Sequence, residues 1–211
     1  VPTDFWNRLN AALLELDPEL FLLAEAEESD HQLQAFHASY GWDLMHAMNE
    51  VARGELNAND LRASLTRRDL RFPAGSNFLL MTSNHDENSW NGTVFERLGG
   101  GVRAFAVLTF TLDGIPLVYN GQEIGLDRRL EFFQRDPIAW RESPMTEFYR
   151  TLGTLKQQHS ALRLGAAKQW IPTTENTKVA AFLRTGADGG EVLTVANLTP
   201  ENLEEIGRAH V

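Results

Sequence analysis

Three short apolar runs constrain the fold more than any other feature of the chain. Leu20-Phe21-Leu22-Leu23-Ala24, Asn77 to Thr82 and Gly114 to Tyr119 do not alternate between apolar and polar residues. Each stops abruptly at polar side chains: Glu25, then Ser83-Asn84-His85-Asp86-Glu87-Asn88, then Asn120-Gly121-Gln122-Glu123. A strand with one wet face alternates, so a run that does not alternate reads as a parallel strand buried on both faces. Helical periodicity fills the gaps. Phe5, Leu9, Leu13 and Leu16 lie on one face of a helix, with Thr3 as its cap and Pro18 at its exit. Asp43 to Ala52 and Asn59 to Arg67 read as helices parted by Gly54, and Ala35 to Gly41 as a further short strand. Arg97 to Leu112 reads as one helix with Val102, Phe105, Leu108 and Leu112 inward, and Phe148, Leu152, Leu155 and His159 mark the last long helix. Strand and helix alternate, and polar residues cluster just after strands. That combination predicts an α/β fold with its chemistry at the carboxyl ends of a parallel sheet.

The pattern changes near residue 165. Ala167–Ile171, Val179–Thr185 and Glu191–Leu198 read as strands joined by turns such as Gly186-Ala187-Asp188-Gly189-Gly190. The expected organisation is therefore an α/β unit over 1–165 and the beginning of an antiparallel β domain over 166–204. The last residues, 205–211, stand apart: Ile206 to Val211 resembles the in-frame translation of a short-read sequencing adapter and is expected to carry no fold. Val1 opens the chain without a signal peptide, and the expectation is a piece of a longer product.

Composition narrows the function classes. The chain has 211 residues, 43% of them apolar and 23% charged, enough for a sizeable core. Its formal charge of −10 argues against holding nucleic acid or an anionic membrane through the net field. No apolar run reaches the length of a membrane span. Without cysteine there is neither a disulfide framework nor a thiolate zinc site, and no compartment is identified. A secreted or periplasmic location is the expectation favoured over a cytoplasmic one.

Candidate chemistry sits at the strand ends. Glu25 ends the first run, but Glu27 shares its parity and Glu28 follows, so the pattern does not choose among the three. His85-Asp86 could serve as an acid/base pair, a loop cap or part of a metal site. No third ligand with metal spacing accompanies it, so no metal is assigned. Glu123 reads first as a turn residue. Of the five tryptophans, Trp90 stands out, four residues after Asp86 in a polar loop where it could stack on a sugar. Carboxylates on separate strand ends of one barrel are what glycoside cleavage requires: one protonates the leaving oxygen and another attacks or activates water.

The motifs Leu22-Leu23-Ala24-Glu25-Ala26-Glu27, Phe78 to Glu87 and Gly114 to Gly125 resemble the fifth-, seventh- and eighth-strand motifs of the α-amylase family of glycoside hydrolases. Phe133-Gln134-Arg135-Asp136-Pro137-Ile138-Ala139-Trp140 resembles the stretch after strand eight. The resemblance runs over about residues 1–165 in the family order. It implies the C-terminal half, strands five to eight, of a (β/α)8 TIM barrel followed by part of an antiparallel β domain. It implies retaining cleavage or transfer of α-glucosidic bonds in starch-like α-glucans. Glu25 falls on the general acid/base, Asp86 on the carboxylate that stabilises the transition state, and His85 on a residue that binds substrate hydroxyls. Asn84, Glu87 and Trp90 are the further substrate-binding candidates. The family nucleophile, an Asp on strand four in a motif like Gly-Phe-Arg-x-Asp, does not occur in these residues. Val1-Pro2-Thr3-Asp4-Phe5-Trp6 resembles the stretch that follows it, so these 211 residues alone are expected to be inactive. No cofactor is expected here; calcium would belong to an insertion after strand three, in the other half of the barrel. Two alternatives stay open: a transglycosylase or α-glucosidase of the same family, and a non-catalytic barrel relative acting as a binding or partner subunit.

Overall fold

The molecule is described by a computed structural model that covers residues 1–204 and Gly207. Apart from Gly207, the adapter-like stretch lies outside the described residues. Helix α1 (Thr3–Leu16) leads to strand β1 (Leu23–Ala24), a single helical turn α2 (His31–Gln34) and strand β2 (Ala38–Tyr40). Helices α3 (Trp42–Ala52) and α4 (Ala58–Arg71) precede β3 (Phe78–Met81). Helices α5 (Val94–Leu98) and α6 (Val102–Thr111) lead to β4 (Ile115–Leu117), and α7 (Pro144–Gln158) to β5 (Ala167–Trp170), β6 (Val179–Thr185) and β7 (Glu191–Asn197). Strands β1 to β4 form one parallel sheet in sequence order, and β5 to β7 one antiparallel sheet.

Local chemistry sets the helix boundaries. Asn57 caps α4 and Thr93 caps α5, each with a reciprocal carboxylate three residues on, Asp60 and Glu96. Ser143 accepts from the Met145 amide at the head of α7, whose first residue is Pro144. Three expectations need correction. Thr3 does not cap α1; it is already helical, and Pro2 holds the cap position without a side-chain bond. The helix expected over 97–112 starts at Val94 and is broken by a 3₁₀ turn over Gly99–Gly101, where three glycines interrupt helix propensity. The four inward residues of its second part are buried as expected. The strand expected over 20–25 pairs only at Leu23 and Ala24, and Phe21 is 56% exposed.

The reason is position in the sheet. Strand β3 has neighbours on both sides, and all four of its residues are buried. β1 and β4 are edges, and none of the residues of β4 is fully buried. Close packing beside β3 is strict at Gly114, where an added Cβ would sit 2.5 Å from Leu80 Cγ and 2.8 Å from the Phe78 carbonyl. The apolar face expected on α1 is likewise uncovered: Phe5, Leu9 and Leu16 are exposed, and its one buried residue is Asn10, which donates to the Ala35 carbonyl at 2.7 Å.

One apolar core runs through both sheets. Leu44, Met45 and Met48 of α3, Leu61 and Leu65 of α4, Leu80 and Met81 of β3, and Phe105 and Leu108 of α6 join Phe182 of β6 and Ala196 of β7. The antiparallel sheet therefore packs on the helices rather than standing clear of them. Among the described residues no helix is long and apolar enough to cross a membrane.

Candidate active site

The carboxyl ends of β1 and β3 bring three side chains together. Ligand atoms of Glu25, His85 and Asp86 all lie within 4.8 Å of one another. The His85 Nε2 is 3.7 Å from Asp86 Oδ2, and both side chains remain nearly half exposed. Two of the three glutamates that the sequence pattern left equal have different neighbours. Glu25 meets Asp86, whereas Glu27 turns to Arg71 at 3.8 Å. The spacing of this trio would also let a cation bridge it, with one imidazole and two carboxylates as donors.

The turn carrying His85 and Asp86 is held from inside. Asn84 is buried, and its Oδ1 accepts from the Glu87 amide at 2.8 Å. A single π-helical turn, Glu87–Asn91, follows Asp86; such turns recur where a side chain must be aimed. Arg97 anchors the base of the turn. Its Nη2 donates to the Thr82 carbonyl at 2.7 Å, its Nη1 to Asn49 Oδ1 at 2.8 Å and its Nε to the Gly92 carbonyl at 3.0 Å. Burial, the largest influence, lowers the Arg97 pKa, against the charges of Glu87 and Glu96. Gln122, after β4, ties the neighbouring strand end to the same place: its Nε2 donates to Thr82 Oγ1 at 2.8 Å and to the Tyr149 hydroxyl at 3.2 Å. Glu123 is a turn residue, accepting from the Gly121 amide at 2.9 Å.

Two expectations part here. Trp90 is 56% exposed, and its ring lies 5.2 Å from Phe132, which in turn lies 5.7 Å from His85. Glu87, expected to touch substrate, is buried instead. It accepts from Asn91 Nδ2 at 2.9 Å and faces Arg97 at 3.8 Å, lining a different cavity with His46, Asn49 and Glu96. A carboxylate buried this deeply needs a cationic partner, and among the described residues Arg97 is within reach. Asn84 too is buried, 1% exposed, which makes it a support of the turn rather than a surface a ligand meets.

Three residues at the site escaped the sequence reading. Tyr40 ends β2, between the strands that carry Glu25 and Asp86. Burial first, and then the negative charges of these two carboxylates, hold its phenol above the usual value. Phe132 and Phe133 extend an aromatic ridge from His85. The Phe132 ring lies 5.7 Å from His85, 5.2 Å from Trp90 and 4.8 Å from Phe133. Asn88 and Ser89 hold that loop in place through the Leu130 amide and carbonyl, at 2.7 Å each. Adjacent apolar residues in a polar stretch without helical or strand period were the signal available for the pair.

Comparison with known proteins follows the same lines. No family model matches the chain. It is 28% identical over 203 residues to an α-amylase of Haloarcula japonica, covering 92% of this chain and 29% of that protein. It is 26% identical to neopullulanase 2 of Thermoactinomyces vulgaris, covering 94% of this chain and 37% of that protein. The chain thus spans about a third of the length of these curated relatives. A crystal structure of a maltogenic α-amylase from Thermotoga neapolitana superposes with a TM-score of 0.82 at 23% identity, over 94% of this chain and 46% of that one. Across most of its length, therefore, with Glu25, His85 and Asp86 meeting at one end of a parallel sheet, this chain is similar to proteins named α-amylase and neopullulanase.

Proposed function

We propose that these residues are part of a retaining glycoside hydrolase that acts on α-glucosidic bonds of starch-like α-glucans. The observation that carries the reading is the convergence of Glu25 and Asp86, from separate strand ends, within 4.8 Å of each other beside His85. On this reading β1 to β4 are strands five to eight of a TIM barrel, residues 1–165 its second half, and 166–204 the start of a β domain.

Glu25 protonates the glycosidic oxygen as the bond breaks and then, as a base, activates the water that completes turnover. The Asp86 carboxylate stabilises the oxocarbenium-like centre most strongly when positive charge is greatest. His85 and Tyr40 flank these carboxylates and orient sugar hydroxyls by hydrogen bonds. Trp90 offers an apolar face to a glucosyl ring. The nucleophile comes from the neighbouring strand, in the other half of the barrel. The presence of all three polar groups speaks against a non-catalytic relative.

The experiment is made on the full-length parent. Hydrolysis of maltooligosaccharides followed by NMR should release the α-anomer first, and Glu25→Gln should slow turnover of starch by about 10²–10⁴-fold. Release of the β-anomer, or wild-type turnover by Glu25→Gln, overturns the reading.

A further inference from the structure

A second, smaller opening of about 290 Å³ lies between the turn after β3 and the loop after β4. Trp90 borders it on the first side, and Leu130, Glu131, Phe132, Phe133 and Gln134 on the second. A whole small molecule usually needs a larger site. A cleft of this size suits part of a ligand whose remainder is held elsewhere.

Its walls are apolar and open to water. Phe133 is 84% exposed, Trp90 56% and Phe132 37%, and the three ring centroids lie within 6.1 Å of one another. Apolar side chains exposed singly are ordinary, but a contiguous exposed group of them marks a surface that something else covers. The charged residues on the border are Arg129, paired with Glu96 at 2.9 Å, and Glu131. Neither sign dominates, so the cleft favours an uncharged ligand.

The loop is braced in this form. Arg128 binds Asp136 and donates to the Pro137 carbonyl at 3.1 Å, while Asp136 accepts from the Glu131 amide at 2.9 Å. Ser89 donates to the Leu130 carbonyl from the opposite wall. These bonds keep Phe133 outward instead of letting it fold onto the core. Rings fixed before a ligand arrives lose little freedom when it binds.

The cleft also continues the catalytic end of the sheet. Phe132 is common to both: its ring lies 5.7 Å from His85 and also lines the cleft. A ligand that begins beside His85 and extends along Phe132 reaches Phe133 and Trp90. A glucosyl ring has the matching chemistry. Its faces present C–H groups to an aromatic wall, and its edge hydroxyls meet polar side chains, here the exposed Glu131 and Gln134.

We propose that this cleft is a subsite for a glucosyl unit of the bound α-glucan remote from the bond being cleaved, with Phe133 and Trp90 as its walls, and that it gives the enzyme a preference for longer chains. The subsite presupposes the α-glucan hydrolase reading of the catalytic end.

The test compares maltotriose with maltoheptaose as substrates of the full-length parent. The wild type should show a higher kcat/KM on the longer substrate. Phe133→Ala should lower the ratio of the two kcat/KM values about three- to tenfold, the scale of one aromatic contact, and mainly by raising KM for maltoheptaose. Phe133→Tyr keeps the ring and should keep the ratio. Because Phe133 is so exposed, its truncation removes little packing, and Trp90→Ala repeats the test from the opposite wall. A wild type that cleaves both substrates without length preference overturns the subsite alone. So do equal losses on both substrates, or an unchanged ratio, in the two alanine variants. A wild type that cleaves neither substrate overturns the hydrolase reading and the subsite with it.

Discussion

Asn88 accepts the Leu130 amide at 2.7 Å, and through that bond the turn bearing His85 and Asp86 holds the loop bearing Phe132 and Phe133. The same Asn88 donates to the Arg128 carbonyl at 3.3 Å. One side chain therefore couples the acid cluster to the aromatic ridge. Asn88→Ala removes both bonds, each worth about 0.5–1.5 kcal/mol net. Hydrogen exchange should quicken over 128–133, and in the full-length parent KM for long oligosaccharides should rise more than kcat falls. Unchanged protection of 128–133 would mean that the ridge is held some other way.

Glu25→Gln and Asp86→Asn should fail differently. Loss of the proton donor should slow poor leaving groups by about 10²–10⁴-fold, and activated aryl glycosides far less. Asp86→Asn should lower kcat for both kinds of substrate with little change in KM, because its charge acts mainly in the transition state. Leaving-group dependence of the two full-length variants, measured side by side, separates the roles.

Arg97 is the structural hub under the site. Arg97→Met strands the buried Glu87 carboxylate and the Thr82 carbonyl. Breaking one half of a buried pair costs about 3–5 kcal/mol, read as a lower denaturation midpoint. Adding Glu87→Gln should restore part of that loss, since the two changes share one interaction. Additive losses would show that the two side chains do not interact.

Alkaline pH offers a check on packing. Lys156 is depressed from 10.5 to about 8 by burial. Between these values the unfolded chain binds more protons than the folded one, so this group makes stability rise with pH across that window. Tyr149 is raised from 10.0 to about 12, chiefly by burial. Between those values the folded chain keeps the proton, so this group makes stability fall. Lys156→Met should flatten the lower window alone, as seen in denaturant midpoints across pH 8 to 10.5.

The 211 residues by themselves should not turn over starch. A retaining mechanism needs a nucleophile about 5–5.5 Å from the acid, and the family resemblance puts that Asp on a strand outside this sequence. β1 and β4 also leave two unpaired strand edges, and the apolar side of α1 is uncovered, so edge pairing into dimers is expected. Light scattering and a starch assay on the isolated chain test both points. Sustained turnover by a monomer would place the nucleophile within these residues.

The sequence by itself determined the parallel sheet and the polar side chains that follow its strands. Non-alternating runs announced parallel strands, and the polar residues just after them announced where those strands end, because backbone burial and side-chain polarity are local properties. It also marked the antiparallel strands after residue 165, to within a residue or two. That Glu25 is the glutamate that lies near Asp86 was tertiary: three glutamates in four positions look alike until one of them faces Asp86 across the sheet. So was the fate of Glu87, whose proximity in sequence to Asp86 says nothing about the buried Arg97 that claims it. Tyr40, Phe132 and Phe133 join the site only because β2 runs between the two acid-bearing strands and because Asn88 holds a distant loop. Periodicity reports which way a residue faces on its own element; which element it then meets is decided by packing.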